Sequence, residues 1–97
     1  MLKNDVLIVT RHKNIANWLK SKGIEGKVVE VARPKDVFGK KVYGVLPFYM
    51  AAMCEEFYHI HVNTSGEVDF DDIPYEDFDK LGVEVKKYIV QCDKVKL

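Results

Sequence analysis

The apolar run Val6-Leu7-Ile8-Val9, followed at once by Thr10-Arg11-His12, most constrains the fold of this chain. Four consecutive apolar residues predict a strand that is buried on both faces, as in parallel sheets. The polar triplet then falls at the carboxyl end of that strand, where open α/β sheets bind ligands. A hydroxyl, a guanidinium and an imidazole at that place suit a phosphate or another oxyanion. The alternative is a basic surface turn without a ligand, because exposed Arg and His are common.

The length of 97 residues predicts a single domain over residues 1–97 with room for one core. A deep active site would therefore need a partner subunit. No apolar stretch approaches the ~20 residues of a membrane span, and the first residues do not follow a signal-peptide pattern, so we expect a cytoplasmic protein. Cys54 and Cys92 lack a CxxC spacing, which predicts two buried free thiols rather than a disulfide or a zinc site.

The net charge of zero hides a basic half and an acidic half. Residues 1–50 hold ten Lys or Arg against four Asp or Glu, whereas residues 51–97 hold five against eleven. Long nucleic acids require many phosphates to be neutralised, so this balance argues against a DNA- or RNA-binding protein. A small anionic ligand at the basic half fits the charges. The acidic residues between 67 and 79 are expected to form a solvated face.

Hydrophobic periodicity predicts strands over residues 5–10, 27–31, 41–46, 57–62 and 88–95. It predicts helices over 13–22 and 48–56, and a third that begins at Asp71 or Asp72 with Phe78 and Leu81 facing inward. The connection over 32–40 is short for a parallel crossover, so either 34–38 forms a compact helical turn or the flanking strands do not pair directly. The expected fold is a three-layer, Rossmann-like α/β domain with a mostly parallel sheet of about five strands.

Parallel strands would gather polar residues at one rim of the sheet. The residues expected there follow the first four strands: Thr10, Arg11 and His12, then Arg33, then Leu46 and Pro47, then Asn63 and Thr64. The chain has no GxGxxG or Walker motif, which argues against a dinucleotide or a nucleoside triphosphate bound in the usual way.

Neither metal nor cofactor is expected. His59 and His61 alternate on one strand face, but a metal would need further ligands, so we interpret them as core or interface histidines. The pair Asp71-Asp72 has no recognisable partner and is interpreted as a helix cap.

The order of several short motifs resembles a small CRISPR-associated family from type III loci, related in fold to CARF sensors and grouped with ring nucleases. The residues that carry the resemblance are Val9-Thr10-Arg11-His12, Ile15, Trp18-Leu19, Gly23-Ile24, Gly44-Val45-Leu46-Pro47, Ala51-Ala52 and His59. The resemblance implies a CARF-like homodimer that binds cyclic oligoadenylate, above all the ring of four. It also implies metal-independent cleavage, in which a ribose 2′-hydroxyl attacks its adjacent phosphate and leaves a 2′,3′-cyclic phosphate.

The chemistry of the rim residues fits that implied activity. Arg11 can stabilise charge on the phosphorane, and His12 can transfer a proton or hold the ribose, so these two are the catalytic candidates. The ligand-binding candidates are the remaining rim residues and the helix residue beside them: Thr10, Asn14, Arg33, Leu46, Pro47, Asn63 and Thr64.

Three alternatives stay open. The same dimer could bind the cyclic ligand without cutting it, as a sink or a sensor. The stretch Val9-Thr10-Arg11-His12 also resembles the start of histidine phosphatases, in which His accepts the phosphoryl group. However, Lys13 stands where that motif has Gly, and the chain is short for that fold. A protein-interaction domain without any ligand is the third alternative.

Overall fold

A computed structural model describes residues 5–62 and 69–96, which form one five-stranded sheet with short helices on both faces. The elements in chain order are β1 (Val6–Val9), α1 (Lys13–Ser21), β2 (Lys27–Val29), α2 (Pro34–Val37), β3 (Lys41–Gly44), α3 (Phe48–Ala51), β4 (Glu56–Val62) and β5 (Val83–Tyr88). The sheet order is β2-β1-β3-β4-β5, and only β5 runs antiparallel to its neighbour. The predicted α/β class with a mostly parallel sheet is confirmed.

Alternating side chains of β1 build a core on each face of the sheet. Leu7 packs in one cluster with Val37 of α2 and Met50 of α3. Ile8 packs in the other cluster with Trp18 and Leu19 of α1. The strand is therefore buried on both faces, as its unbroken apolar run predicts, and the fold has three layers.

The chain reverses its direction of travel across the sheet at β1. It leaves β1 through α1 to reach β2 on one side, and it returns through α2 to β3 on the other side of β1. Both expectations for the short connection hold, because residues 34–37 form a compact helix and β1 lies between β2 and β3. A reversal of this kind opens a crevice between the carboxyl ends of the two central strands.

Gly44 allows β3 to approach β1 closely at that crevice. Its φ is 147°, in the region that disfavours residues with a side chain, and it pairs with Val9 of β1. A Cβ atom at this position would collide with the Val9 carbonyl oxygen. The glycine is thus required by backbone conformation and by space.

The predicted last strand over residues 88–95 is wrong. The strand is Val83–Tyr88, and described residues 89–96 form no strand. Val83 and Val85 pair with Val62 and Ile60 of β4, which places two β-branched residues against the core. This cross-strand packing outweighs the apolar alternation further along the chain.

The third predicted helix is reduced to a single 3₁₀ turn at Tyr75–Asp77, although Phe78 is fully buried as predicted and Leu81 packs partly against the core. The second predicted helix ends at Ala51 rather than near 56. After the end of α3, the amide of Glu55 donates to the Lys40 carbonyl oxygen at 2.8 Å, and the chain enters β4 instead of continuing the helix.

The structure also bears on the two cysteines and on the length of the helices. Cys54 is half-buried and Cys92 is exposed, so the expectation of two buried thiols is wrong for Cys92. None of the helices in the described residues is long and apolar enough to cross a membrane.

The packing of residues 69–83 predicts a large effect of truncating Phe78. Phe78→Ala should lower the free energy of unfolding by about 3–5 kcal/mol, because it leaves a cavity in the core beside Trp18. Phe38→Ala is the matched control, since Phe38 is largely exposed, and it should change stability by less than about 0.5 kcal/mol. Urea unfolding followed by circular dichroism measures both, and equal losses would contradict this packing.

Candidate functional site

A cavity of about 310 Å³ opens at the carboxyl ends of β1 and β3. It therefore lies at the point where the chain reverses across the sheet, which is the usual ligand site of open α/β folds. Its walls combine apolar core residues with four polar side chains, and they comprise Val9, Thr10, Arg11, His12, Ile15, Glu30, Gly44, Val45, Ile60, Val62 and Phe70. Three of the predicted site residues, Thr10, Arg11 and His12, thus come together here.

The turn from β1 into α1 is held by Thr10. Its amide donates to the Val29 carbonyl oxygen of β2 at 2.9 Å, and its Oγ1 accepts a hydrogen bond from the His12 amide at 3.1 Å. These two bonds tie the triplet to the sheet, so Arg11 and His12 leave the strand end in a defined direction. Thr10 is predicted to contact ligand, and the role that the structure shows is this local one in the turn.

The His12 imidazole is oriented by the segment that precedes β5. Its Nδ1 lies 3.0 Å from Oδ1 of Asp71, and the Phe70 ring packs at a centroid distance of 5.7 Å. An ionised carboxylate only accepts hydrogen bonds, so Nδ1 carries the proton in this pair. In the neutral imidazole the Nε2 atom then has the free lone pair, which is the atom a general base would use.

Asn14 holds the segment that carries Asp71. Its side-chain amide donates to the carbonyl oxygens of Phe70 at 2.7 Å and of Ile73 at 2.9 Å. Asn14 is predicted to bind ligand, but here both bonds go to backbone, and the residue is not among those that line the cavity. Its observed role is to fix the partner of His12.

Arg11 and Glu30 give the cavity opposite charges. Arg11 is exposed, and within the described residues its guanidinium has neither an ion-pair nor a hydrogen-bond partner. It is available to an anion. The Glu30 carboxylate, on the β2 side, repels phosphate and accepts from hydroxyl groups. A ligand with both groups therefore has a preferred orientation.

Three other predicted ligand residues, Arg33, Leu46 and Pro47, do not line this cavity. The Arg33 amide donates to Oδ2 of Asp36 at 2.8 Å at the start of α2. Leu46 lines a second cavity on the α3 side of the sheet, and Pro47 precedes α3. Asn63 and Thr64 lie outside the described residues.

His59 and His61 lie on β4, and His59 lines the cavity on the α3 side. Burial lowers the pKa of His59, and the neighbouring His61 lowers it further, because both disfavour the charged imidazole. Over residues 5–62 and 69–96, no three His, Cys, Asp or Glu side chains are grouped so that they could hold a metal ion.

Part of the acidic run between residues 67 and 79 forms tertiary contacts and is not only a solvated face. Asp79 accepts from Nε1 of Trp18 at 3.3 Å and from Nζ of Lys22 at 2.7 Å. The Lys22 bond lowers the pKa of the Asp79 carboxyl. Asp79 thus connects the segment before β5 to α1, and Asp71 connects it to His12 at the start of that helix.

Comparison with known protein families supplies the remaining observation. Residues 7–91 match the family described as "Putative CRISPR-associated protein (Cas_VVA1548)". The chain belongs to this CRISPR-associated family. No curated protein and no solved structure matches the chain.

The match to the CRISPR-associated family runs from β1 past the end of β5. It includes every residue that lines the cavity, as well as Asp71 and Asn14. The cavity therefore lies within the part of the chain that defines the family.

The two bonds from Asn14 predict a measurable stability effect in this CRISPR-associated protein. Asn14→Ala should lower the free energy of unfolding by about 1–2 kcal/mol, because two partly buried carbonyl oxygens lose their donor while the helix gains slightly in propensity. Lys20→Ala, an exposed change on the same helix, should stay within about 0.5 kcal/mol of wild type. Urea titration measures both, and a neutral Asn14→Ala would show that the segment holds without this clamp.

Proposed function

We propose that this CRISPR-associated protein is a metal-independent ring nuclease of type III CRISPR signalling. It binds cyclic oligoadenylate, above all cyclic tetraadenylate, and opens it to linear products that end in a 2′,3′-cyclic phosphate. The observation that carries the proposal is that Arg11, which has no partner among residues 5–62 and 69–96, lines the same cavity as an oriented His12 at the reversal point of the sheet. Membership in a CRISPR-associated family supports the biological setting.

The proposed reaction uses groups already present in the substrate. The ribose 2′-oxygen attacks the adjacent phosphorus and loses its proton, while the bond from phosphorus to the 5′-oxygen of the next nucleotide breaks and that oxygen gains a proton. Arg11 stabilises the negative charge that grows on the nonbridging oxygens. His12, through Nε2, accepts the 2′-hydroxyl proton or holds that hydroxyl in line. Asp71 is a positioning residue, because it contacts His12 and not the substrate.

The size of the cavity favours a site that two subunits share. A volume of about 310 Å³ is at the small end for a ligand site and suits about one nucleotide. A ring of four nucleotides must extend beyond it. A homodimer that places two such cavities side by side would enclose the ring between two equal halves.

Hydrolysis of labelled cyclic tetraadenylate in the presence of EDTA tests the proposal. We expect multiple turnovers to linear product with EDTA present, and no phosphohistidine. Binding without product at catalytic protein concentration would leave a sink or a sensor and would overturn the nuclease. Turnover of phosphomonoesters instead would favour the histidine phosphatase, and calorimetry without binding of any cyclic oligoadenylate would favour a protein-interaction domain.

Arg11→Ala should lower kcat by about 10²–10³-fold, because the charge that develops on the phosphate loses the guanidinium that stabilises it. Lys20→Ala removes the same charge at the far end of α1 and should leave kcat unchanged. Single-turnover cleavage of cyclic tetraadenylate measures both variants. An Arg11→Ala enzyme with the wild-type rate would refute this mechanism even if the activity itself is present.

Asp71→Ala should lower kcat by about 10-fold and leave KM unchanged, because His12 loses the partner that fixes its orientation while the substrate contacts remain. The matched control is Asp72→Ala, which removes the next carboxylate in the chain and should keep the wild-type kcat. Steady-state kinetics separate the two parameters. If both variants behave alike, the effect comes from local charge and Asp71 does not position His12.

A further inference from the structure

Five large apolar residues stand exposed at the carboxyl end of β3, on α3 and at the end of β5. We call them the α3 patch, and they are Val45, Phe48, Tyr49, Tyr88 and Ile89, with exposed fractions between 47% and 86%. Phe48 and Tyr88 line an apolar cavity of about 320 Å³ together with Leu46, Ala51, Phe57, His59 and Val90. The α3 patch therefore combines protruding aromatic rings with an apolar cavity.

The two segments that form the patch carry no charge. Residues 42–54 and 88–92 contain no Asp, Glu, Lys or Arg, although 31% of the chain is charged. Soluble monomers cover such surface with charged side chains, and they rarely leave a large apolar patch in water.

The exposed area is close to what a stable dimer needs. From their exposed fractions, the five residues present on the order of 600 Å² of mainly apolar surface. The largest patch on a typical monomer is about 300–600 Å². A standard interface buries about 800 Å² on each partner, which this patch reaches with modest help from its polar rim.

We propose that the α3 patch is the contact surface of a twofold homodimer. In a twofold contact the same patch lies on both sides, so each charged side chain would meet its own copy and repel it. An uncharged patch avoids this repulsion between copies. It also offers no ion pairs to a charged partner protein, so a second copy of the chain is the better fit. The exposed Phe48 beside an apolar hollow is self-complementary, because the ring of each copy can fill the hollow of the other.

This interface would bring two candidate sites together. Val45 belongs to the α3 patch and also lines the cavity that holds Arg11 and His12. Contact through the patch therefore places the two cavities along one edge of the dimer. This consequence rests on the proposed function, whereas the dimer itself rests only on the apolar surface.

The mass of the full chain in solution tests the surface. Sedimentation velocity should give twice 11.2 kDa for the wild type and 11.2 kDa for Phe48→Glu. Ile89→Glu, at the second segment of the patch, should also give the monomer. Val31→Glu, an exposed valine after β2 at the opposite edge of the sheet, should remain dimeric. Circular dichroism checks that all variants fold, as expected for exposed positions.

A wild type that is monomeric at every concentration, or a Phe48→Glu variant that stays dimeric, would contradict the proposal that the α3 patch is the dimer interface. The cleavage assay separates this outcome from failure of the proposed function. A dimeric wild type that does not cleave cyclic tetraadenylate would be consistent with the proposed interface but would refute the proposed nuclease activity. If Phe48→Glu is monomeric and retains full turnover, the proposed interface stands but the site is not shared between subunits. A loss of turnover of at least 10-fold in this monomeric variant supports both the interface and the shared site.

Discussion

The close approach of β1 and β3 at Val9 and Gly44 determines where everything else lies. Because Gly44 lacks a Cβ atom, β1 and β3 stay paired to their carboxyl ends, while β2 pairs with the other side of β1. That reversal opens the cavity, and the end of β1 delivers Thr10, Arg11 and His12 into it. A side chain at position 44 would separate the strands where the site is built.

The segment before β5 serves stability and the site with the same contacts. Asp79 binds Trp18 and Lys22, Asn14 binds two backbone carbonyl oxygens, and Asp71 binds His12. The burial of Phe78 holds the segment against the core at one end. As a result, the orientation of His12 depends on packing more than 50 residues away in the chain, and not only on its own helix.

The sequence predicts well those features that depend on local patterns. The apolar run of β1, the helix face of Ile15, Trp18 and Leu19, and the mostly parallel sheet are all found in the structure. The polar triplet is also found at the strand end, where it lines the cavity.

The features that could not be predicted depend on contacts between distant segments. Asp71 is 59 positions from His12, and no spacing rule connects the two, so the sequence indicates only a helix cap at Asp71-Asp72. The last strand is predicted too far along the chain because Val83 and Val85 gain from pairing with β4, which alternation alone does not reveal. The role of Asn14 is invisible for the same reason, since its partners are backbone carbonyl oxygens.

The most direct measurement of the central claim is a titration with an analogue that binds but cannot react. Cyclic tetraadenylate with 2′-deoxyribose lacks the attacking hydroxyl, so the complex persists while amide resonances are recorded by NMR. If the cavity holds the phosphate, the largest shifts will fall on the amides of Thr10, Arg11, His12, Gly44 and Val45, and those of α2 will stay in place. Saturable binding with shifts confined to α2 and the β2 edge would contradict the claim.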